Sequence, residues 1–162
     1  MKLSEKDILL LGELQKNCRQ SLKKISRKLG MSITTAFERM KKLEKEGVIT
    51  GYKAILDPEK TDNDATAYIL VRMEYFHNPN MEPLSQRDVA SEIARIPGIV
   101  EVHIIAGEWD MLVKARGKTI RDIANLVIDK MRKIRGIGRT LTCDSWVKIK
   151  ETTELNLPRT MK

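Results

Sequence analysis

Apolar residues recur at helical spacing in the first third of the chain. Three helices are predicted within residues 4–46: Ser4 is the N-cap of the first, the second begins near Ser21, and the third starts at Ser32. Asp7 lies three residues after Ser4 and completes a capping-box pattern there. The side chains predicted to face a shared core are Ile8, Leu11 and Leu14 in the first helix, Leu22, Ile25 and Leu29 in the second, and Ile33, Ala36, Phe37, Met40 and Leu43 in the third.

The pattern changes to strands that alternate with helices after Ala65. Strands are predicted at "ATAYILVRMEY" (65–75), "IVEVHIIA" (99–106), "MLVKA" (111–115) and "RTLTCDSWVKIKE" (139–151), with helices at 84–96 and 119–134. The order βαββαβ is that of a ferredoxin-like unit, and "IARIPGIV" and "MRKIRGIG" repeat one helix-to-strand turn in its two halves. Helices cover only one face of such a sheet, so the other face predicts a homo-oligomer.

The predicted fold class is α+β, and the chain divides into two modules. Residues 1–56 form a helix-turn-helix domain that resembles a winged helix, with "EGVITGYKAILD" as a short wing or linker strand. Residues 57–64, "DPEKTDND", are a polar linker. Residues 65–150 form the ferredoxin-like domain, and residues 151–162 are a tail that is either disordered or exchanged between subunits.

Positive charge is concentrated in the first module. The chain has 162 residues and a net charge of +8. Residues 1–53 hold 13 Lys and Arg against 6 Asp and Glu, a surplus of +7, whereas the remaining residues hold 17 against 16. A lysine-rich surface that is merely solvated is one interpretation. The uneven distribution favours the other, in which the N-terminal module binds a nucleic acid.

The turn "LGMS" between the second and third predicted helices completes a helix-turn-helix pattern. The start of the third helix would enter the major groove, where Thr34 and Thr35 are short enough to meet base edges. Ser32 and the helix amides would hold a phosphate, while the Lys and Arg side chains reach the DNA backbone. The predicted DNA-binding residues are Lys23, Lys24, Ser32, Thr34, Thr35, Glu38, Arg39 and Lys42. The alternative is a plain three-helix packing unit.

Other chemistries find little support in the sequence. Cys18, Cys143 and the two histidines lack metal-ligand spacing, and no phosphate loop or dinucleotide motif occurs, so no metal or cofactor is expected. Glu108 and Asp110 are a possible carboxylate pair, but no nucleophile or base accompanies them, so we expect no enzyme. The start "MKLSEKD" lacks an export signal and no apolar run spans a membrane, which predicts a cytoplasmic protein without a membrane partner.

The chain resembles the Lrp/AsnC family of leucine-responsive, or feast/famine, transcription regulators over almost its whole length. The resemblance rests on Arg19–Ser21 (RxS), "LGMS" and "RMKKLEKEGVITGY" in the first module, and on "PGI", a GxxD pattern and "TLTCDSWVK" in the second. It implies a homodimer that assembles to an octamer, binds pseudo-palindromic double-stranded DNA and takes an amino-acid effector between dimers. The segment "FHNPNMEPLSQRD" (76–88) is longer than the family's usual link and leaves the assembly state open.

The resemblance also places an effector site in the second module. Its residues would be Gly107, Glu108, Trp109 and Asp110 in one loop, Thr140, Thr142 and Cys143 in the last strand, and His103 before the loop. Asp110 would accept bonds from an α-ammonium group, and the threonine hydroxyls would bind an α-carboxylate. The alternatives are a plain hairpin turn with Trp109 at a subunit contact, an architectural DNA-wrapping protein without an effector, and a ferredoxin-like enzyme with an incidental basic arm.

Overall fold

The computed structural model describes residues 3–75 and 82–157, which fold into two compact units. The N-terminal unit comprises the chain up to Ile55 together with the C-terminal segment from Lys150, and the α/β unit spans Leu56–Ile149. The C-terminal segment of the chain is therefore part of the N-terminal unit. Residues 76–81 of the long link and 158–162 of the predicted tail lie outside the described residues.

Three helices form the N-terminal unit: α1 (Glu5–Lys16), α2 (Leu22–Lys28) and α3 (Ile33–Lys45). Ser4 caps α1 as predicted and forms a full capping box with Asp7, and α2 and α3 start where predicted, with Ser21 and Ser32 as their caps. Each cap satisfies backbone N–H groups that the first turn of a helix leaves without partners. The core of the unit consists of Leu10, Leu11, Leu14, Ile25 and Leu43, with Leu3, Leu29, Met40, Ile49 and Leu157 packed against it.

Two side chains of α3 do not follow the predicted inward pattern. Ile33 is 49% exposed and Phe37 is 48% exposed, while Ala36 and Leu43 fill the buried side of the helix. The prediction that Ile33 and Phe37 face the core was therefore wrong. Both are apolar and lie near the helical period of the core residues, but α3 presents only the narrower side through Ala36 and Leu43 to α1 and α2.

The predicted wing strand is absent from the described residues. The amides of Val48 and Ile49 both donate to the carbonyl oxygen of Leu43 and so close the end of α3. The chain from Thr50 to Asp57 is irregular, because the described part of the unit offers no second strand to pair with it. Residues with strand propensity thus remain outside a sheet, since propensity alone does not supply a partner.

The α/β unit contains the predicted βαββαβ order: β1 (Ala65–Met73), α4 (Gln86–Ala94), β2 (Ile99–Ile104), β3 (Met111–Gly117), α5 (Ile120–Asp129) and β4 (Ile137–Asp144). The sheet order is β2-β3-β1-β4, and all neighbouring strands are antiparallel. Alternate residues of β1 and β3 are buried against Val89 and Ile93 of α4 and Ile123 and Val127 of α5. The ferredoxin-like fold is confirmed.

The opposite face of the sheet carries Tyr68, Leu70, Leu112 and Leu141, and we call it the open face. Tyr68, Leu70 and Leu112 alternate with the buried residues of β1 and β3, and Leu141 shares their face because it is paired with Leu70 across the strands. Tyr68 and Leu141 are exposed. The open face is thus apolar at its centre and not covered by either helix of the unit.

The two halves of the unit repeat the same turn. Gly98 and Gly136 both have a φ of +95°, and each follows a helical end in which an isoleucine amide bonds back three residues. A Cβ atom on Gly136 would lie 2.7 Å from Leu84, so only glycine fits both the backbone angle and the space. The structure confirms the repeat that the sequence indicated.

The last strand is shorter at its C-terminal end than predicted. β4 begins at Ile137 and stops at Asp144, which pairs with Ala67, and Ser145 makes one further bond to Thr66. β1 begins at Ala65, which this register places opposite Trp146, so no residue of β1 remains for Val147 and the residues after it. Trp146 is 92% exposed and belongs to no strand.

Candidate DNA-binding and effector sites

The solvent side of α3 holds several of the predicted DNA-binding residues with unengaged side chains. Thr34, Glu38 and Lys42 are exposed, and none has a side-chain hydrogen bond or ion pair within the described chain. Lys23 and Lys24 are exposed on α2, also without such a bond. The structure therefore leaves these five side chains available to an external partner.

Ser32 and Thr35 are engaged with each other instead. The Ser32 Oγ accepts the Thr35 amide at 3.0 Å and lies 2.8 Å from the Thr35 Oγ1. Both hydroxyls therefore help to close the N-terminal turn of α3. The predicted use of the Ser32 hydroxyl as a phosphate ligand competes with this cap.

Arg39 has a partner that the sequence did not predict. Its Nη1 donates to Asp7 Oδ1 at 2.8 Å and to Ser4 Oγ at 2.9 Å, tying α3 to the N-terminus of α1. Its Nε is buried without a hydrogen-bond partner among the described residues. In this arrangement the guanidinium links two helices, and it does not reach outward as the predicted contact with the DNA backbone requires.

Asp7 is the buried member of this ion pair. Burial acts to raise its pKa, but the hydrogen bonds from Ser4 and Arg39 and the positive charge of Arg39 outweigh burial, so the pKa is lowered from 3.8. The carboxylate therefore stays ionised and holds both the start of α1 and the middle of α3.

In the α/β unit, the loop between β2 and β3 is fastened through the predicted effector residue Asp110. Asp110 Oδ2 accepts the Met73 amide at 2.7 Å, and Oδ1 accepts the Tyr75 hydroxyl at 2.5 Å and the Gln86 Nε2 at 3.1 Å. Its own amide donates to the Val71 carbonyl oxygen. One carboxylate thus joins the loop to the end of β1 and to the first residue of α4.

The electrostatics of Asp110 match this role. Burial acts to raise its pKa, but the hydrogen bonds from Tyr75, the Met73 amide and Gln86, together with the charge of Arg72, outweigh burial, so the pKa is lowered from 3.8. Tyr75 shows the reverse effect: its bond to Asp110 raises the pKa of the phenol. The predicted ammonium ligand is already bonded to three donors of its own chain, and no sequence pattern predicted these bonds.

Trp109 lies beside a pair of arginines at the same end of the sheet. The Arg139 guanidinium carbon is 5.4 Å from the centroid of the Trp109 ring. Arg139 of β4 stands directly opposite Arg72 of β1, on the open face. Like charges that face each other across strands are unfavourable unless an anion offsets them. Arg72 and Arg139 were not among the predicted effector residues.

The remaining predicted effector residues do not converge within one chain. His103 lies on β2 and the threonines lie on β4, which are the opposite edges of the sheet, about 14 Å apart at three strand spacings. Thr140 and Thr142 stand opposite Val71 and Ile69 on the helix-covered face, whereas Cys143 is on the open face. Gly107, with a φ of +128°, and the exposed Glu108 lie in the loop itself.

Two of these residues have local partners. Thr140 Oγ1 accepts the Arg132 Nε at 3.2 Å. His103 Nε2 is 3.5 Å from Glu101 Oε2, and the other oxygen of Glu101 is 3.3 Å from Lys114 Nζ. Within the described residues no group of three or more His, Cys, Asp or Glu side chains is placed to hold a metal ion. None of the described helices has the length and apolar character needed to cross a membrane.

Comparisons with known proteins agree with both units. Residues 3–50 match the winged helix-turn-helix DNA-binding family, and residues 66–155 match the Lrp/AsnC ligand binding domain. An uncharacterised HTH-type transcriptional regulator of Pyrococcus horikoshii is 44% identical over 92% of this chain and 96% of its own. The leucine-responsive regulatory protein of Haemophilus influenzae is 32% identical over 93% and 88% of the two chains.

A solved structure shares the fold over nearly the full length. The transcriptional regulator of Neisseria meningitidis in complex with L-Met has a TM-score of 0.85 and 25% identity, covering 96% of this chain and 97% of that one. The protein is thus a DNA-binding transcription regulator with a ligand-binding domain. It belongs to the Lrp/AsnC family. Members of this family regulate transcription and are not enzymes, which confirms the prediction that no catalysis occurs here.

Proposed function

We propose that this regulator reads specific DNA sequences with α3 in the major groove and that its oligomer responds to an amino acid. The observation that carries the DNA part is the free outer side of α3, in a module with a charge surplus of +7. The side chains proposed to meet DNA are Thr34 and Glu38 at base edges and Lys23, Lys24 and Lys42 at phosphates.

The salt dependence of binding tests this interface. If a dimer makes about 6–10 phosphate contacts, raising salt from about 50 to 200 mM lowers affinity by roughly 10³–10⁵. Lys42→Gln should weaken binding to all duplexes and reduce the salt slope by about 1 per interface, while Thr34→Ala should change sequence preference. A salt-independent affinity would contradict the proposal.

An amino-acid effector is supported by the family of the second module and by the relative whose structure contains L-Met. Asp110 is engaged by Met73, Tyr75 and Gln86, so the effector's carboxylate, and not its ammonium group, is the end proposed to meet the loop. Arg72 and Arg139 would bind it beside Trp109, because guanidinium groups pair with carboxylates in two-point geometry.

The oligomer would complete the site. We propose a homodimer through the apolar open face, assembly to octamers, and pseudo-palindromic DNA sites that follow from the two-fold symmetry. His103 would join Thr140, Thr142 and Cys143 only from a neighbouring subunit, since one chain holds β2 and β4 at opposite edges of the sheet. The proposed compartment is the cytoplasm, where a regulator meets its DNA.

Calorimetry with each of the twenty amino acids tests the effector. For an amino acid that binds, the heat of binding should disappear when its carboxylate is replaced by an amide. It should also disappear with the Arg139→Gln variant. The control variant Arg121→Gln, on the exposed side of α5, should bind the amino acid normally. If none of the twenty produces heat or changes assembly, the effector proposal fails. The protein is then better described as an architectural DNA-wrapping protein.

A further inference from the structure

The most unusual feature of α3 is a pair of large apolar side chains on its solvent side. Ile33 and Phe37 lie one helical turn apart and are each about half exposed, at 49% and 48%. The adjacent side of the helix, with Ala36 and Leu43, is the one that packs against the unit's core. Exposing two such residues side by side does not stabilise the fold of the unit, so we attribute their exposure to contact with a binding partner.

The surroundings of this apolar pair are basic. Lys41 follows Phe37 by one turn, and its Nζ lies 5.9 Å from the ring centroid while it also bonds to Glu44 at 3.0 Å. Thr34 and Glu38 flank the pair, and Lys42 and Lys45 follow it along the helix. An apolar strip within a basic rim complements an anionic partner that offers small apolar groups, and it repels a second copy of the same strip.

Double-stranded DNA is a partner of this kind. Its phosphates are anionic, and thymine is the base that presents an apolar methyl group, at C5, in the major groove. The N-terminal residues of a recognition helix are those that meet base edges, and Ile33 is the first residue of α3. We propose that Ile33 and Phe37 contact thymine C5-methyl groups and so select T·A pairs at defined positions of the site. This inference rests on the proposed assignment of α3 as the recognition helix.

The experiment removes the methyl group from the DNA and the side chain from the protein. A duplex selected from a random pool by the full chain is prepared twice, once with thymine and once with uracil, which differs only by lacking the methyl. Wild-type protein should bind the uracil duplex about four-fold more weakly for each contacted methyl. Phe37→Ala and Ile33→Ala should each lose the thymine preference at their own positions.

A matched control is available on α1. Leu9 is also a large, half-exposed apolar residue, at 42%, and Leu9→Ala should keep the full preference for thymine. Because Ile33 and Phe37 are outside the core, circular dichroism should show that both variants fold, and if one does not, the other still decides the question. Size-exclusion chromatography should show an unchanged assembly state. A variant that changes assembly while the thymine preference persists would assign the strip to a protein contact and overturn the inference.

The outcomes separate this inference from the proposal on which it rests. If Lys42→Gln weakens binding but wild-type protein does not distinguish thymine from uracil, α3 is at the DNA and the methyl contact is wrong. If Phe37→Ala and Ile33→Ala both retain the wild-type preference, these side chains do not make the contact, which also overturns it. If Lys42→Gln and Thr34→Ala leave binding to every duplex unchanged, the recognition-helix assignment itself fails.

Discussion

The outer side of α3 and the loop between β2 and β3 (residues 105–110) were both predicted as binding sites, and their polar side chains differ in how they are bonded. On α3, Thr34, Glu38 and Lys42 have no side-chain partners within the described chain. In the loop, the carboxylate of Asp110 is bonded to three donors from β1, the residues after it and α4. One surface presents its polar groups to solvent, and the other uses its central polar group to hold itself together.

This difference shows how a motif is to be interpreted. A polar residue within a recurrent pattern serves either the ligand or the scaffold, and only its hydrogen-bond partners distinguish the two. Asp110 supports the position of the loop, and the groups left for a ligand are its neighbours Trp109 and Arg139. Arg39 of α3 is a second example, because this charged residue of the predicted DNA interface joins two helices.

Asp110→Ala tests most directly whether Asp110 stabilises the loop. The change leaves the Met73 amide and the Tyr75 hydroxyl without their acceptor, so we expect the free energy of unfolding to fall by about 2–4 kcal/mol. Urea denaturation measures it, and the matched control Glu108→Ala, at an exposed position of the same loop, should stay within about 0.5 kcal/mol. If Asp110→Ala keeps its stability but loses amino-acid binding, the carboxylate belongs to the ligand after all.

Arg39→Ala tests in the same way whether Arg39 of α3 stabilises the fold or contacts DNA. Loss of the ion pair leaves the buried Asp7 uncompensated, so we expect a loss of about 1–3 kcal/mol in the stability of the protein and an unchanged salt slope for DNA binding. Lys42→Ala should behave in the opposite way, with normal stability and a smaller slope. A normal melting curve for Arg39→Ala together with a reduced salt slope for DNA binding would show that Arg39 contacts DNA.

The dependence of stability on pH should show a smaller effect of the same carboxylates. Asp7 and Asp110 have pKa values below their ordinary 3.8 in the folded protein, so each contributes stability above that value and loses it as the pH falls through its folded pKa. We therefore expect stability to decline below about pH 4. Asp7→Asn should be less stable at neutral pH and lose less on acidification. A decline of the same size in Asp7→Asn and wild type would show that Asp7 does not contribute.

The smallest expected effect concerns the C-terminal segment. The side-chain amide of Gln15 donates to the Leu155 carbonyl oxygen at 3.1 Å and accepts the Leu155 amide at 2.8 Å. Gln15→Ala should accelerate hydrogen exchange at the Leu155 amide with little change in global stability, because the pair is near the surface. Exchange at Leu155 that is equally fast in both proteins would mean that the segment is not held by Gln15.

Much of the fold followed from local patterns. Ser4, Ser21 and Ser32 mark helix starts from a few neighbouring residues, and the repeated turn at Gly98 and Gly136 indicated two similar halves. These features depend on contacts within about four residues, which a sequence displays directly.

The predictions that were wrong depend on contacts between residues that are distant in the sequence. The partners of Asp110 lie up to 37 positions away, and Arg39 finds Asp7 across 32. Ile33 and Phe37 have the spacing of core residues, and no local pattern shows that the adjacent side of the helix, with Ala36 and Leu43, is the one that packs. The early end of β4 depends on where β1 begins, so the strand signal in "SWVKIK" has no neighbour to pair with.

The return of residues 150–157 to the N-terminal unit has a practical consequence. Leu157 packs against the cluster of Leu10, Leu14 and Ile25, so a fragment that stops at Ile55 removes part of the wall of its own core. The helix-turn-helix unit is therefore built from two distant stretches of the chain, and a fragment prepared for DNA-binding measurements needs both of them.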